Sequence, residues 1–341
     1  SYSVYDEFNR IIEAGEVSNL TAVSSYANTS VRSQVKYSNF LTWLNGNASQ
    51  KKQVSFTAYD KAIKVFAGST QSSFEQENLR PRVSSTYYVE NNFSGAARTK
   101  VLAGTYDFAS HYSYDEHGNV KTLISETKQL EGLNESLKRV DYVYDLVSGN
   151  VLEVVYQEGR KDQFMHKYSY DADNRIVNAL TSKDGVVWET DAHYEYYRHS
   201  VLKRTEIGEN KVQGLDYFYT IHGWLKGVNS ETLKSNRDLG KDGSTEAADE
   251  KEWTAKDVYG FSLKYYQGDY KSIGTIAQND NALAKEEALY ASTNNLYNGN
   301  IGAMVTSISK FDNGAPQAMA YGYDQLNRIV SATAYGHTSI S

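Results

Sequence analysis

Along most of the chain, apolar and aromatic residues alternate with polar ones over short stretches, and each stretch ends in a cluster of Asp, Asn or Gly. A period of two belongs to a strand with one buried face. In HYSYDEHGNVKTLI, Tyr112 and Tyr114 fall on one strand face, Asp115 follows, Gly118 and Asn119 supply the turn, and Val120 and Leu123 open a second strand. An Asp side chain caps backbone N–H groups in such a turn, and Gly or Asn tolerates its left-handed backbone. The pattern therefore predicts an antiparallel hairpin.

The same arrangement recurs. Tyr2, Val4, Tyr5 and Asp6 precede Asn9, Arg10, Ile11 and Ile12; Tyr142, Tyr144 and Asp145 precede Gly149, Asn150, Val151 and Val155. Tyr168, Tyr170 and Asp171 precede Asn174, Arg175, Ile176 and Val177, and Tyr321, Tyr323 and Asp324 precede Asn327, Arg328, Ile329 and Val330. Between Asp115, Asp145 and Asp171 the spacing is 30 and 26 residues, room for one hairpin and its connection. A lone hairpin is marginal in water, so neighbouring copies are expected to share a sheet. Degenerate copies, with Tyr194 and Tyr196 or with Tyr217 and Tyr219 before the turn at His222 and Gly223, extend the series. Arg10, Arg175 and Arg328 are expected to pair with a neighbouring repeat or to lie over a tyrosine ring.

These repeats resemble the RHS/YD-repeat family. The resemblance rests on Tyr-Asp followed by Asn-Arg-Ile or Gly-Asn-Val, from Tyr5 to Ile11, Tyr114 to Val120, Tyr144 to Val151, Tyr170 to Ile176 and Tyr323 to Ile329. It covers most of the chain, with weaker copies between residues 20 and 105. It implies a long β-sheet coiled into a hollow shell, around a toxic carboxy-terminal segment or within a large secreted bacterial surface protein. No copy of the family's terminal core with its self-cleavage residues is found, so the chain resembles a stretch of shell wall.

The expected fold is mainly β: repeated antiparallel hairpins forming a curved open sheet or part of a hollow shell, with one short helical insertion. Residues 1–230 form the YD-like hairpin region, 231–296 a divergent insertion with loop, helix and some strand, and 297–341 a continuation of the repeat sheet. Within the insertion, residues 231–256 read as a surface loop with a short helix near 247–253. A better helix begins after Asp280 or Asn281, with Leu283, Glu287 and Tyr290 at helical spacing.

Composition agrees with sheet: 29 Tyr and 11 Phe favour strands, and only 2 Pro spare the ladders a missing donor. A formal charge of −7 gives no reason to expect nucleic acid as partner. The absence of Cys excludes disulfides and thiolate metal sites. No apolar run is long enough for a membrane-spanning helix, and no basic leader precedes an apolar run, so a soluble segment is expected.

Candidate chemistry is weighed against packing. His193, Glu195 and His199 lack the H-E-x-x-H spacing and a third obligate ligand, so strand packing is favoured over a metal or acid/base site. Asp115, Asp145 and Asp171 lack the dense oxygen set of a calcium loop and are favoured as turn caps. Trp43, Trp188, Trp224 and Trp253 are favoured as core or inter-strand residues, although exposed rings would suit a glycan. Asn19, Asn28, Asn47, Asn92 and Asn134 meet the N-glycosylation spacing. No nucleotide loop, nucleophile assembly or metal cluster emerges, so no catalytic, cofactor or metal residues are assigned and the chain is not expected to be an enzyme.

The leading expectation is a structural shell or scaffold segment of a secreted or cell-surface protein, enclosing or presenting a polypeptide cargo. Its partners would be the remaining repeats or domains of a larger polypeptide, with an enclosed toxin or secretion component. Extracellular adhesion or carbohydrate binding is the alternative, and polysaccharide hydrolysis a third, weaker one.

Overall fold

The alternating stretches fold as strands. The computed structural model describes residues 1–18, 44–46, 50–62, 74–91, 93–234, 238–243, 253–270 and 295–335. Among these residues the chain forms eighteen antiparallel strands, and within each of its two units strands adjacent in sequence pair with one another. This is the mainly β fold expected from the tyrosine-bearing repeats.

The chain divides into two units. The first comprises residues 1–166 and 183–185, the second residues 167–182 and 186–341. The amino-terminal unit carries β1 (Tyr2–Tyr5), β2 (Ile11–Ser18), β3 (Gln50–Tyr59), β4 (Val83–Val89), β5 (Phe108–Tyr114), β6 (Val120–Thr127), β7 (Leu137–Tyr144) and β8 (Val151–Tyr156). β9 (Phe164–Tyr170) leads into the second unit. There follow β10 (Ile176–Ser182), β11 (Glu189–Tyr196), β12 (Leu202–Ile207), β13 (Gln213–Tyr219), β14 (Leu225–Val228), β15 (Tyr259–Lys264), β16 (Ala303–Ile308), β17 (Gln317–Tyr323) and β18 (Ile329–Tyr335).

In the amino-terminal unit, alternation on β3 sends Val54, Phe56 and Ala58 to one face, where they meet Tyr87 and Val89 of β4 and Ala109 of β5. Helix α1 (Ala97–Leu102) covers this face with Ala97 and Val101, four residues apart and so on one side of the helix. Six residues are too few for an independent helix, so packing holds it. Each such Val or Phe contributes about 1.5–3 kcal/mol by burial.

The apolar cluster of the carboxy-terminal unit is made of smaller side chains: Ala303 and Val305 of β16, Ala318 and Ala320 of β17, with Tyr335 against them. Much of this unit's interior is polar instead. Arg204, Glu206, Asp216, Lys226, Asp238, Asp242, Asp257 and Asp269 are all buried.

Two expectations change here. The sequence of 231–256 reads as a surface loop, yet Asp238, Asp242 and Thr254 within it are buried, because they belong to a charged cluster and not to solvent. Trp253, favoured as a core residue, is 82% exposed. The helix expected after Asp280 and Trp43 lie outside the described residues, as does most of 247–253. No helix among the described residues is long and apolar enough to cross a membrane.

Candidate functional site: the tyrosine-aspartate turns

The repeated residues assemble into one turn design. Asp6 Oδ1 accepts the backbone N–H groups of Phe8 and Arg10, both at 2.9 Å, while Oδ2 accepts Arg10 Nε at 2.7 Å. Asp171 repeats this with Asp173, Arg175 and Arg175 Nε, and Asp324 with Leu326, Arg328 and Arg328 Nε. Asn9, Asn174 and Asn327 take left-handed backbone at φ 60–62°. In the Gly-Asn copies that conformation passes to Gly118 and Gly149. Asn119 then does what arginine does elsewhere, donating its Nδ2 to Asp115 Oδ2 at 3.0 Å. Asp145 caps a turn one residue longer, through Ser148 N and Oγ.

These bonds favour the ionised carboxyl. The Arg175 side chain holds Asp171 below the usual carboxylate range, and the backbone N–H of Arg328 does so for Asp324. Asp145 is lowered first by the Ser148 hydroxyl. At Asp6 and Asp115 partial burial pushes upward, but bonds from Arg10 and Asn119 outweigh it.

Seven of these strand pairs close with a bulge. Val4 pairs with Glu13 but Tyr5 with Ile11; Ser113 pairs with Thr122 but Tyr114 with Val120; Gly322 pairs with Ser331 but Tyr323 with Ile329. The same one-residue slip precedes Tyr59, Tyr144, Tyr196 and Tyr219. The extra residue, second in the returning strand, bends that strand locally.

The final tyrosine of the motif spans the gap to the preceding hairpin. Ladders between hairpins end at Glu13 with Phe56, Ser85 with His111, Thr122 with Asp141, Asn178 with His193, Gly227 with Ser262 and Ala303 with Ala320. In each case the tyrosine three residues past the last pair donates its hydroxyl to the carbonyl two residues before it. Tyr59 reaches Ile11, Tyr114 Val83, Tyr144 Val120, Tyr196 Ile176, Tyr265 Leu225 and Tyr323 Ile301, at 2.7–2.9 Å. The hydroxyl thus pairs a backbone acceptor that the ladder has left behind. Burial raises the pKa of all these phenols, so they remain donors at neutral pH.

Arginine completes the contact between hairpins. The Arg10 guanidinium lies 4.3 Å from the Tyr59 ring centre and pairs with Asp60 at 2.8 Å; Arg175 lies 4.6 Å from the Tyr196 ring centre. Beside Tyr114 the cation comes from Arg82, at 5.5 Å. A Cβ at Gly118 would land on that guanidinium, so glycine here serves both the left-handed turn and the close approach. Arg328 bonds Asp324 and is 72% exposed at its side chain. The first tyrosine of each pair stacks beside the second, at 6.4 Å for Tyr112 and Tyr114 and 6.3 Å for Tyr142 and Tyr144. Successive turns also lie side by side: residues of turns 115–119 and 145–149 line a cleft of about 210 Å³.

His193, Glu195 and His199 do not converge. His193 Nδ1 bonds Asn178 Oδ1 at 2.7 Å, Glu195 pairs with Lys203, and His199 stacks on Tyr197.

Two further groupings lie in the carboxy-terminal unit. The first surrounds Arg204, whose guanidinium donates to Glu206 at 3.0 Å, to Asp242 at 2.6 Å and to Asp216. Asp238 accepts the backbone N–H of Asp242 at 3.1 Å, and Asp257 accepts Gln213 Nε2 at 3.0 Å. Burial, with the charges of Asp238, Asp242 and Asp216, pushes Asp257 up to about 8. Burial also raises Asp238. The second grouping is aromatic. His222 stacks on Trp224 at 5.0 Å, Tyr266 stacks on Tyr297 at 4.6 Å, and the Tyr266 hydroxyl meets His222 Nδ1 at 3.2 Å. Nearby, Asn298 and Asn300 both donate to Asn327 Oδ1.

The sequence matches no family model and no curated protein. Among solved structures, the chain is similar to TcdB2-TccC3 without its hypervariable C-terminal region, at 11% identity and a TM-score of 0.39, covering 87% of this chain and 15% of that one. It is similar to a TccC3 variant of the Photorhabdus luminescens Tc holotoxin pore, at 12% identity and a TM-score of 0.28, covering 96% and 17%. A porin-like protein from Bacteroides uniformis follows at 8% identity and a TM-score of 0.25, covering 84% and 85%. The chain spans about a sixth of the length of the first two.

Proposed function

We propose that this chain is a non-enzymatic wall segment of the RHS/YD-repeat kind, within a larger secreted or cell-surface polypeptide that encloses or presents a polypeptide cargo. One observation carries the proposal: the tyrosine-to-carbonyl contact joins hairpin to hairpin by a single rule in both units. A contact of this kind adds hairpins to a growing sheet without requiring a closed core. β18 presents the accepting half of the same device. Arg328 projects from its turn, and Ile329 and Val330 are exposed at 59% and 65%. By analogy with Arg10 on Tyr59 and Arg175 on Tyr196, a further strand placed there would offer its tyrosine to the Ile329 carbonyl.

A density map of the intact native polypeptide tests this. The expected result is a strand paired to β18, with the sheet walling off a polypeptide interior. A free β18 edge and a separately closed fold with nothing enclosed would overturn it.

A second reading, carbohydrate binding, is favoured by the His222, Trp224, Tyr266 and Tyr297 group, where Tyr297 is 69% exposed beside side-chain amides. Ring faces with amides at their rim suit a neutral sugar. A glycan array followed by titration calorimetry checks it: saturable heat that Tyr297→Ala abolishes supports binding, and silence across the array removes the reading.

A further inference from the structure

Five carboxylates, Glu206, Asp216, Asp238, Asp242 and Asp257, are buried around one arginine. Lys211 reaches Glu206 from the rim at 3.0 Å. Buried carboxylates are costly unless cations, donors or protons balance them. Asp216, Asp238 and Asp242 each offer an oxygen, and these atoms lie within 4.8 Å of one another. That separation fits oxygens across a single ion at roughly 2.3–2.6 Å from each.

A separate observation concerns Asp238 alone. The residue is 1% exposed, and its Oδ1 is buried with no hydrogen-bond partner among the described residues. A carboxylate oxygen withdrawn from water without a donor calls for a cation or a proton. The backbone leaves room for close approach. A Cβ at Gly214 would land on Asp242 Oδ2 and the Arg204 guanidinium, and one at Gly240 on Asp216 Oδ2 and the same guanidinium.

We propose that Asp216, Asp238 and Asp242 hold a hard divalent cation, calcium in preference to magnesium, and that this ion ties the 238–243 segment to β13. Asp216 lies on β13, while Asp238 and Asp242 lie on the segment itself. Arg204 is shared by Asp216 and Asp242 and orients both. Calcium is preferred because it accepts irregular, water-poor oxygen sets, whereas magnesium retains several waters that a closed pocket does not admit. The ion is a structural tie, and the proposal is independent of the wall-segment reading.

The test uses the full chain stripped with chelator, titrated at pH 7 with calcium, magnesium or manganese in a calorimeter and melted with and without each. The expected result is one calcium per chain, a Kd below about 1 mM, a higher melting temperature with calcium than with chelator, and weaker heat with magnesium. Asp238→Asn keeps an acceptor for the Asp242 N–H and should bind calcium at least tenfold more weakly. Asp257→Asn, outside the triad, should bind as the parent does. No heat with any of the three ions and identical melting with and without chelator would overturn the proposal and leave protons as the balancing charge. Should Asp238→Asn fail to fold, the titration and melting of the stripped parent chain decide between the same two outcomes.

Discussion

The two units bury different things. Between β3, β4, β5 and α1, the amino-terminal unit excludes water with Val54, Phe56, Tyr87 and Val101, and its buried charges are closely matched, as in Lys51 with Glu13 at 2.7 Å. Around Arg204 the carboxy-terminal unit buries Glu206, Asp216 and Asp242 on one guanidinium, and its apolar cluster rests on alanine and valine. Apolar packing tolerates small displacements, but a buried ion cluster is stable only with every partner in place. The difference shows that a uniform outer pattern of hairpins can be fastened on unlike interiors.

The largest effects break one interior at a time. Phe56→Ala should cost about 3–5 kcal/mol through lost burial and the cavity left behind. Arg204→Met should cost a similar amount, about 3–5 kcal/mol, because it strands buried carboxylates without their cation. Urea denaturation at pH 7 and pH 5 separates the two mechanisms. The Arg204→Met penalty should shrink at pH 5, where protons neutralise the stranded carboxylates, while the Phe56→Ala penalty should not change.

The next effect concerns what both units share. Tyr144→Phe and Tyr196→Phe each remove one hydroxyl-to-carbonyl bond and should cost about 0.5–1.5 kcal/mol in either unit. Hydrogen exchange should show loosening centred on Val120 and Ile176. Equal penalties support a common fastening, whereas a loss confined to one unit would show that the interior governs it.

Asn174→Ala places a Cβ-bearing residue without a local amide at φ 60° and should cost about 1 kcal/mol, with Asn174→Gly near neutral by thermal melting. The smallest effect is on pH. Asp171 and Asp324 have folded pKa values lowered by bonds from Arg175 and Arg328, so their contribution is present above the ordinary carboxylate value of about 4. It is lost as pH falls through the lowered values. A melting series should therefore show Asp171→Asn converging on the parent at acid pH, by a small margin because these turns are in solvent.

The hairpins are legible in the sequence because alternation and turn chemistry are local: Tyr114, Asp115 and Gly118 lie within five residues and dictate one another. The expected placement of arginine over a neighbouring tyrosine is seen for Arg10 and Arg175. The acceptor of the tyrosine hydroxyl is not legible, since a backbone carbonyl 20–48 residues away carries no residue signature. A trace of the bulge does exist, in the shared offset from the final tyrosine to the returning strand at Tyr5 and Ile11, Tyr114 and Val120, Tyr196 and Leu202, and Tyr323 and Ile329, which Tyr144 and Val151 lengthen by one residue. The Arg204 cluster leaves no local trace. Asp216 and Asp242 are 12 and 38 residues from Arg204, and the polar stretch carrying Asp242 looks like surface until the fold closes on it.

The turn at Asp145 has one residue more than the turn at Asp115, yet Tyr144 with Val151 and Tyr114 with Val120 close their hairpins with the same slip in pairing. Loop length is thus uncoupled from strand register. The rim of turns is consequently a row of interchangeable cassettes: foreign peptide grafted between Leu146 and Ser148 would be displayed at the sheet's border, with the strands on either side keeping their partners.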